Sequence, residues 1–224
     1  MNKYKAVLFD CDGTVSDSRP GIFNSIYYAI DKKGIAPVPE EQLQYFLGPP
    51  LYLSFAHIFG VSEDMAVELT DTYREYYNGK GVFETTPYEG IEDVLASLKE
   101  AGIRTAIVSS KPVEFLEMVI PHLGLSEYFD FIVGPPMDNH NASKEILVRT
   151  ALERLELEPS EEIAMVGDRR FDMEAAEKTG VTGIGITYGY GTEEELRNAG
   201  ADIIAKSTSE LKKIFVDKDL NSSI

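Results

Sequence analysis

Short apolar runs recur along the chain at 5–9, 105–108, 129–133, 163–166, 183–186 and 203–205, most of them bounded by glycine or polar residues. Runs of this length and punctuation predict buried β-strands. Between most of them the apolar spacing changes to that of a helix. Ile91, Val94, Leu95 and Leu98 share one face, and Gly102 follows as a stop. Phe115, Met118 and Val119 predict a second helical face, and Ile146, Leu147, Thr150 and Ala151 a third. Strands alternating with helices predict an α/β fold whose mainly parallel sheet is joined by right-handed crossovers and covered on both faces.

One interval breaks the alternation. From about 19 to 87 no run reads as a strand, and stretches such as "GIFNSIYYAIDKK" and "EDMAVELTDTYREYYN" read as helices. The expected organisation is a core built from 1–18 and 88–216, a helical insert over 19–87, and a flexible polar tail at 217–224. An insert that leaves after the first strand lies over the carboxyl end of a parallel sheet, where ligands bind, and a lid there shuts out water. The alternative is an ordinary helical subdomain without gating. Within the insert, "FLGPPL" is the loop expected to face the site, because Gly48, Pro49 and Pro50 stop a helix and stiffen the connection.

Composition narrows the partners. With 21 basic and 38 acidic residues the formal net charge is −17, which opposes approach to nucleic acid or an anionic membrane. A small phosphorylated substrate remains compatible, because a cation and a few lysines reverse the potential inside one cleft. The single cysteine, Cys11, cannot form an intrachain disulfide, and no Cys/His cluster suggests zinc, so a reducing, cytoplasmic setting is expected. No run approaches the roughly 18 apolar residues of a membrane span. The N-terminal apolar stretch is also too short for a signal peptide.

The chemistry-bearing residues gather at predicted strand ends. "FDCDGTVSDS" sets Asp10 and Asp12 one residue apart directly after the first strand, where their charges repel. Ser109, Ser110 and Lys111 follow the second strand, Lys144 precedes a helix, and Asp168 and Asp172 follow the fourth strand. A parallel sheet brings these ends together. Several converging carboxylates imply a divalent cation, and hard oxygen ligands favour Mg2+. If a helix starts near Asp168, a spacing of four keeps both of its carboxylates on one face.

In "DCDGT", "VSSK", Lys144 and "GDRRFD" the chain resembles the haloacid dehalogenase superfamily of phosphatases, with all four motifs in order over nearly the whole length. The insert resembles the helical cap of its phosphoglycolate phosphatase and 5'-nucleotidase branch. The resemblance implies a Rossmann-like core with an α-helical cap, and a Mg2+-dependent phosphatase acting on a small phosphorylated metabolite through an aspartyl-phosphate. It makes Asp10 the nucleophile and Asp12 the general acid and then base. Ser109 and Lys144 would stabilise the transferring group. Asp10, the backbone carbonyl of Asp12, and Asp168 would hold the metal, with Asp172 supporting it directly or through water. "ASKEIL" departs from the commoner pattern, in which proline follows the lysine.

The expected substrates are nucleoside 5'-monophosphates or phosphoglycolate-like acids. Inorganic pyrophosphatase, sugar-phosphate mutase and a non-catalytic phosphate-binding protein are the alternatives, and a monomer or homodimer is expected. Ser110, Gly48, Arg19 and Arg74 are candidate substrate contacts. Arg169 could serve similarly, although surface ion pairing is the commoner fate of such arginines. Lys111 competes with Lys144 for the charge role, with a solvated position as its ordinary alternative. Cys11 is expected to pack rather than react, and Tyr27, Tyr28, Tyr73, Tyr76 and Tyr77 to pack the insert rather than stack on a base. His57, His122 and His140 show no metal-binding spacing.

Overall fold

The computed structural model describes residues 3–48, 51–137 and 143–216. Along the chain run β1 (Ala6–Phe9), β2 (Ser16–Asp17), α1 (Arg19–Lys32), α2 (Glu40–Leu43), α3 (Leu51–Phe59), α4 (Glu63–Gly79) and β3 (Thr86–Pro87). There follow α5 (Ile91–Glu100), β4 (Arg104–Val108), α6 (Val113–His122), β5 (Phe131–Val133), α7 (Lys144–Leu155) and β6 (Ile163–Gly167). The chain closes with α8 (Arg170–Thr179), β7 (Thr182–Ile186), α9 (Glu193–Asn198), β8 (Ile203–Ala205) and α10 (Thr208–Val216). Two compact units result, one of residues 1–17 and 87–224 and one of residues 18–86. Position 217–224, expected as a tail, lies outside the described residues, as do Pro49, Pro50 and His140.

The larger unit holds a six-stranded parallel sheet in the order β5-β4-β1-β6-β7-β8. Each strand matches one of the six apolar runs, so the expected α/β class is correct. Every residue of β1 is buried, as a central strand covered on both faces requires. Ala6, Leu8, Ala106, Val108, Ile163 and Met165 alternate into one core with Leu147, Val148, Ala151, Leu152 and Ala176 from α7 and α8. From β1 the winding runs outward to β4 and β5, then crosses to β6, β7 and β8 on the other side. The direction therefore reverses between β1 and β6, and loops that part at such a point open a crevice at the carboxyl ends of the strands.

Two helical faces differ from the expected ones. On α6 the buried residues are Leu116, Val119 and Ile120, while Met118 is exposed. On α7 they are Lys144, Leu147, Val148, Ala151, Leu152 and Leu155, while Ile146 is 57% exposed. The phase of α7 is set at its start, where the Ser143 hydroxyl accepts from the Ile146 N–H at 3.4 Å. That phase turns Lys144 inward on the same face as Val148, Ala151 and Leu155. The apolar spacing alone does not mark this phase, because the buried face begins with a charged residue.

The smaller unit is helical. Ile22, Ile26 and Ile30 of α1 recur every fourth residue on its buried side, and both α1 and α3 pack on α4. Phe46 meets Phe55 edge to face at 4.8 Å, and Tyr73 stacks on Tyr77 at 5.3 Å. Tyr73 and Tyr77 are thus core residues, whereas Tyr27 is exposed and Tyr28 and Tyr76 pair with each other at the surface. Among the described residues no helix is long and apolar enough to cross a membrane.

Candidate active site

Asp10 extends the ladder of β1 by one step, its N–H donating to the Val166 carbonyl at 2.9 Å. The chain then folds on itself. The N–H groups of Thr14, Val15 and Ser16 all donate to the Cys11 carbonyl, and Gly13 N–H donates to the Ser16 carbonyl. Gly13 sits at φ +82°, and a Cβ there would collide with the Asp168 carboxylate. Within this turn the two repelling acids diverge. Lys144 Nζ lies 2.8 Å from Asp10 Oδ1, while Lys111 Nζ lies 2.9 and 3.0 Å from the two oxygens of Asp12.

Register brings the other groups to the same level. Phe9 stands beside Ile107 of β4 and Val166 of β6, so the residues after these strands emerge together. Ser109 is buried at the end of β4, where its N–H donates to the Val133 carbonyl and its hydroxyl accepts from the Lys111 N–H. Ser110, next along, is exposed. Lys144 also reaches Asp172 Oδ1 at 2.8 Å. The Asp10 contact is an ion pair without hydrogen-bond alignment, since Oδ1 is buried with no hydrogen-bond partner. Burial works against the charged form of Lys144, but the charges of Asp10 and Asp172 outweigh it and hold the ammonium above its ordinary range.

Asp168 is fully buried and held at both oxygens. The Thr14 hydroxyl donates to Oδ1 at 3.1 Å, and the Tyr190 N–H donates to Oδ2 at 2.8 Å. Sequence reasoning passed over Thr14 and Tyr190. The available signal was the glycine spacing after β7: a Cβ on Gly189 would strike the Gly13 carbonyl and Asp168, so that turn is built for close approach. Asp172 belongs to the first turn of α8, and its Oδ2 accepts from the Arg169 N–H at 3.2 Å. Asp168 precedes that helix, so the expected shared helical face is not what joins the two acids. Asp168 comes from the strand end, and Asp172 folds back to it as a helix cap.

Asp10, Asp168 and Asp172 each offer an oxygen, all within 4.8 Å of one another. Burial drives the Asp168 carboxyl well above the usual range, and the charges of Asp10 and Asp172 add to it. Burial likewise raises Asp172 to about 6, against the pull of Lys144. Three carboxylates in one dry pocket are compensated only in part by Lys144. An all-oxygen, net-negative cradle fits a hard divalent cation. The Asp12 carboxylate is not in this cluster, and its expected part was through the backbone.

The remaining candidates separate clearly. Lys111 is buried and paired with Asp12, which corrects the expectation of a solvated lysine. Arg169 pairs with Glu195 at 2.9 Å. Cys11 is buried beside Ser16, and burial, with the charge of Asp12, pushes its thiol far up, so it does not supply a thiolate. Arg19, Gly48 and Arg74 belong to the smaller unit. There Arg19 is the exposed first residue of α1, Gly48 has φ +124°, and Arg74 pairs with Asp71 at 3.2 Å.

Residues 7–186 match the family model described as haloacid dehalogenase-like hydrolase. The chain belongs to that family. Among its relatives is a 5'-nucleotidase of Pseudomonas aeruginosa, 35% identical over 87% of this chain and 88% of its own. A phosphoglycolate phosphatase of Vibrio parahaemolyticus is 28% identical over 94% and 95%. Of solved structures, a predicted phosphatase from Clostridium acetobutylicum superposes with a TM-score of 0.84 at 42% identity, covering 94% of this chain and 97% of that one. The resemblance read from the four motifs is therefore correct, and the fold is that of the haloacid dehalogenase-like hydrolases.

Proposed function

We propose that this family phosphatase is magnesium-dependent and hydrolyses a small phosphomonoester through an aspartyl-phosphate on Asp10. The observation that carries the reading is the divergence of Asp10 and Asp12 within one turn. Asp10 faces the carboxylate cluster and Lys144, while Asp12 is held apart by Lys111. This divergence supports Asp10 as the group that attacks phosphorus and Asp12 as the group that transfers the proton.

In the first step an Asp10 oxygen forms a bond to phosphorus as the bond from phosphorus to the alcohol oxygen breaks, and Asp12 delivers its proton to that oxygen. In the second, Asp12 takes a proton from water, the water oxygen bonds to phosphorus, and the Asp10 oxygen leaves. Asp12 ends as it began. Lys144 neutralises charge on Asp10 and the transferring group, and the buried Ser109 hydroxyl hydrogen-bonds a phosphoryl oxygen. Asp10, Asp168, Asp172 and the Asp12 carbonyl would hold magnesium, which supplies charge neutralisation at the phosphoryl group when bound. Thr14 and Tyr190 keep Asp168 in its orientation.

The leading substrate classes are nucleoside 5'-monophosphates and phosphoglycolate-like acids, in the cytoplasm, with Ser110, Gly48, Arg19 and Arg74 as candidate contacts. The names of the relatives support the pairing of these classes. Phosphate release from a panel of nucleoside monophosphates, phosphoglycolate, pyrophosphate and sugar phosphates, with magnesium and with chelator, tests the reading. Magnesium-dependent release concentrated on one monoester class supports it. Release from pyrophosphate alone, or isomerisation of a sugar phosphate without release, replaces it with the corresponding alternative.

A further inference from the structure

We propose that Lys111 is a positioning residue for Asp12 and thereby sets how well the enzyme expels a basic alcohol; this rests on the proposed role of Asp12. The Lys111 side chain is 5% exposed, and its ammonium stands astride both Asp12 oxygens at 2.9 and 3.0 Å. Its backbone is fixed. The N–H of Lys111 donates to the Ser109 hydroxyl, and its carbonyl packs so closely on Gly134 that a Cβ there would clash. The next turn is tied down as well, Val113 N–H donating to the Pro135 carbonyl at 2.8 Å.

Asp12, by contrast, is 26% exposed at its side chain and projects from a tight turn. A carboxylate so placed would rotate toward water if nothing gripped it. Lys111 supplies the grip from a neighbouring strand end. A carboxyl group has about four lone-pair sites, so an ammonium bridging both oxygens leaves a site on Asp12 that can carry the proton it donates to the leaving oxygen. Charge neutralisation at Asp10 is already served by Lys144, which separates the work of the two lysines. The distinction has a kinetic consequence. A misplaced general acid penalises esters whose alcohol must be protonated as it leaves, and spares esters whose leaving group departs as an anion.

The test compares kcat/KM for glycerol 1-phosphate, a poor leaving group, with that for p-nitrophenyl phosphate, a good one. Wild-type protein is measured beside Lys111→Met, Lys111→Gln and Lys111→Arg, all with magnesium. A positioned general acid contributes about 10²- to 10⁴-fold, so Lys111→Met is expected to lose about 10²-fold on the alkyl ester and under about 5-fold on the aryl ester. Lys111→Arg, which still grips a carboxylate, is expected to recover most of the alkyl activity. If Lys111→Met does not fold, Lys111→Gln makes the same comparison. Equal losses on both esters, or no loss on either, overturn the inference while the phosphatase reading stands. Where the wild type hydrolyses neither ester, the comparison is made with its best panel monoester and that monoester's aryl analogue, and wild-type protein inactive on these as well overturns the reading and the inference together.

Discussion

Lys144 places its ammonium 2.8 Å from Asp10 Oδ1, with the side chain of the lysine 5% exposed and that of the aspartate 13%. The same nitrogen lies 2.8 Å from Asp172, so one cation holds two acids whose like charges would otherwise drive them apart. Removing one partner of such a buried pair leaves uncompensated charge, at a cost of about 3–5 kcal/mol. Lys144→Met is therefore expected to lose about that much stability at neutral pH by urea unfolding in chelator. Magnesium should restore part of it, because a cation in the cluster takes over the compensation. A variant as stable as the wild type in chelator would show that Lys144 does not bear this charge.

Metal-free protein should grow less stable as pH rises from about 4 to about 6 through the cluster. Burial holds the Asp172 carboxyl at about 6 in the folded protein, above its ordinary value of 3.8, and Asp168 moves the same way. A raised carboxyl pKa means that the folded state binds the proton more tightly than the unfolded state, so stability from this source is full below the unfolded value and lost through the folded one. For Asp172 a shift of about two units corresponds to on the order of 3 kcal/mol. Urea unfolding at pH 4.5 and 7.5 in chelator measures it, and saturating magnesium should reverse the trend by binding the ionised cluster. Stability that rises over this window in chelator would contradict the charge assignment.

Gly13→Ala should damage the site through both backbone and space. Its φ of +82° is strained for any other residue, and the added Cβ meets the Asp168 carboxylate. An alanine at such a position is expected to cost more than about 1 kcal/mol. Magnesium affinity, read by titration of thermal stability, should fall as well. An unchanged magnesium midpoint would mean that Asp168 keeps its orientation without the close approach of the turn.

Much of this was legible in the sequence for identifiable reasons. All six core strands announced themselves because a sheet buried on both faces needs continuous apolar runs, as at Ala6–Phe9 and Ile163–Gly167. The acids at Asp10, Asp12 and Asp168 stood out because each directly follows such a run. The role of Asp172 as a cap was legible only as an alternative to metal support, since it depends on where α8 starts, one to two residues beyond Asp168. The pairings of Lys111 with Asp12 and of Tyr190 with Asp168 were hidden for a different reason. The partners lie 99 and 22 residues apart in sequence, and only the strand order brings them together.

If Asp10 is the nucleophile of a magnesium-dependent phosphatase, Asp10→Asn abolishes turnover without unfolding the protein. Phosphate release from the preferred monoester would be measured for wild type and variant, with magnesium and with chelator, after circular dichroism has shown the variant folded. Wild type should release phosphate only with magnesium, and the variant should lose about 10³-fold or more, as for other residues that form a covalent intermediate. A folded Asp10→Asn protein that releases phosphate at a near-normal rate would contradict the role of Asp10 as nucleophile.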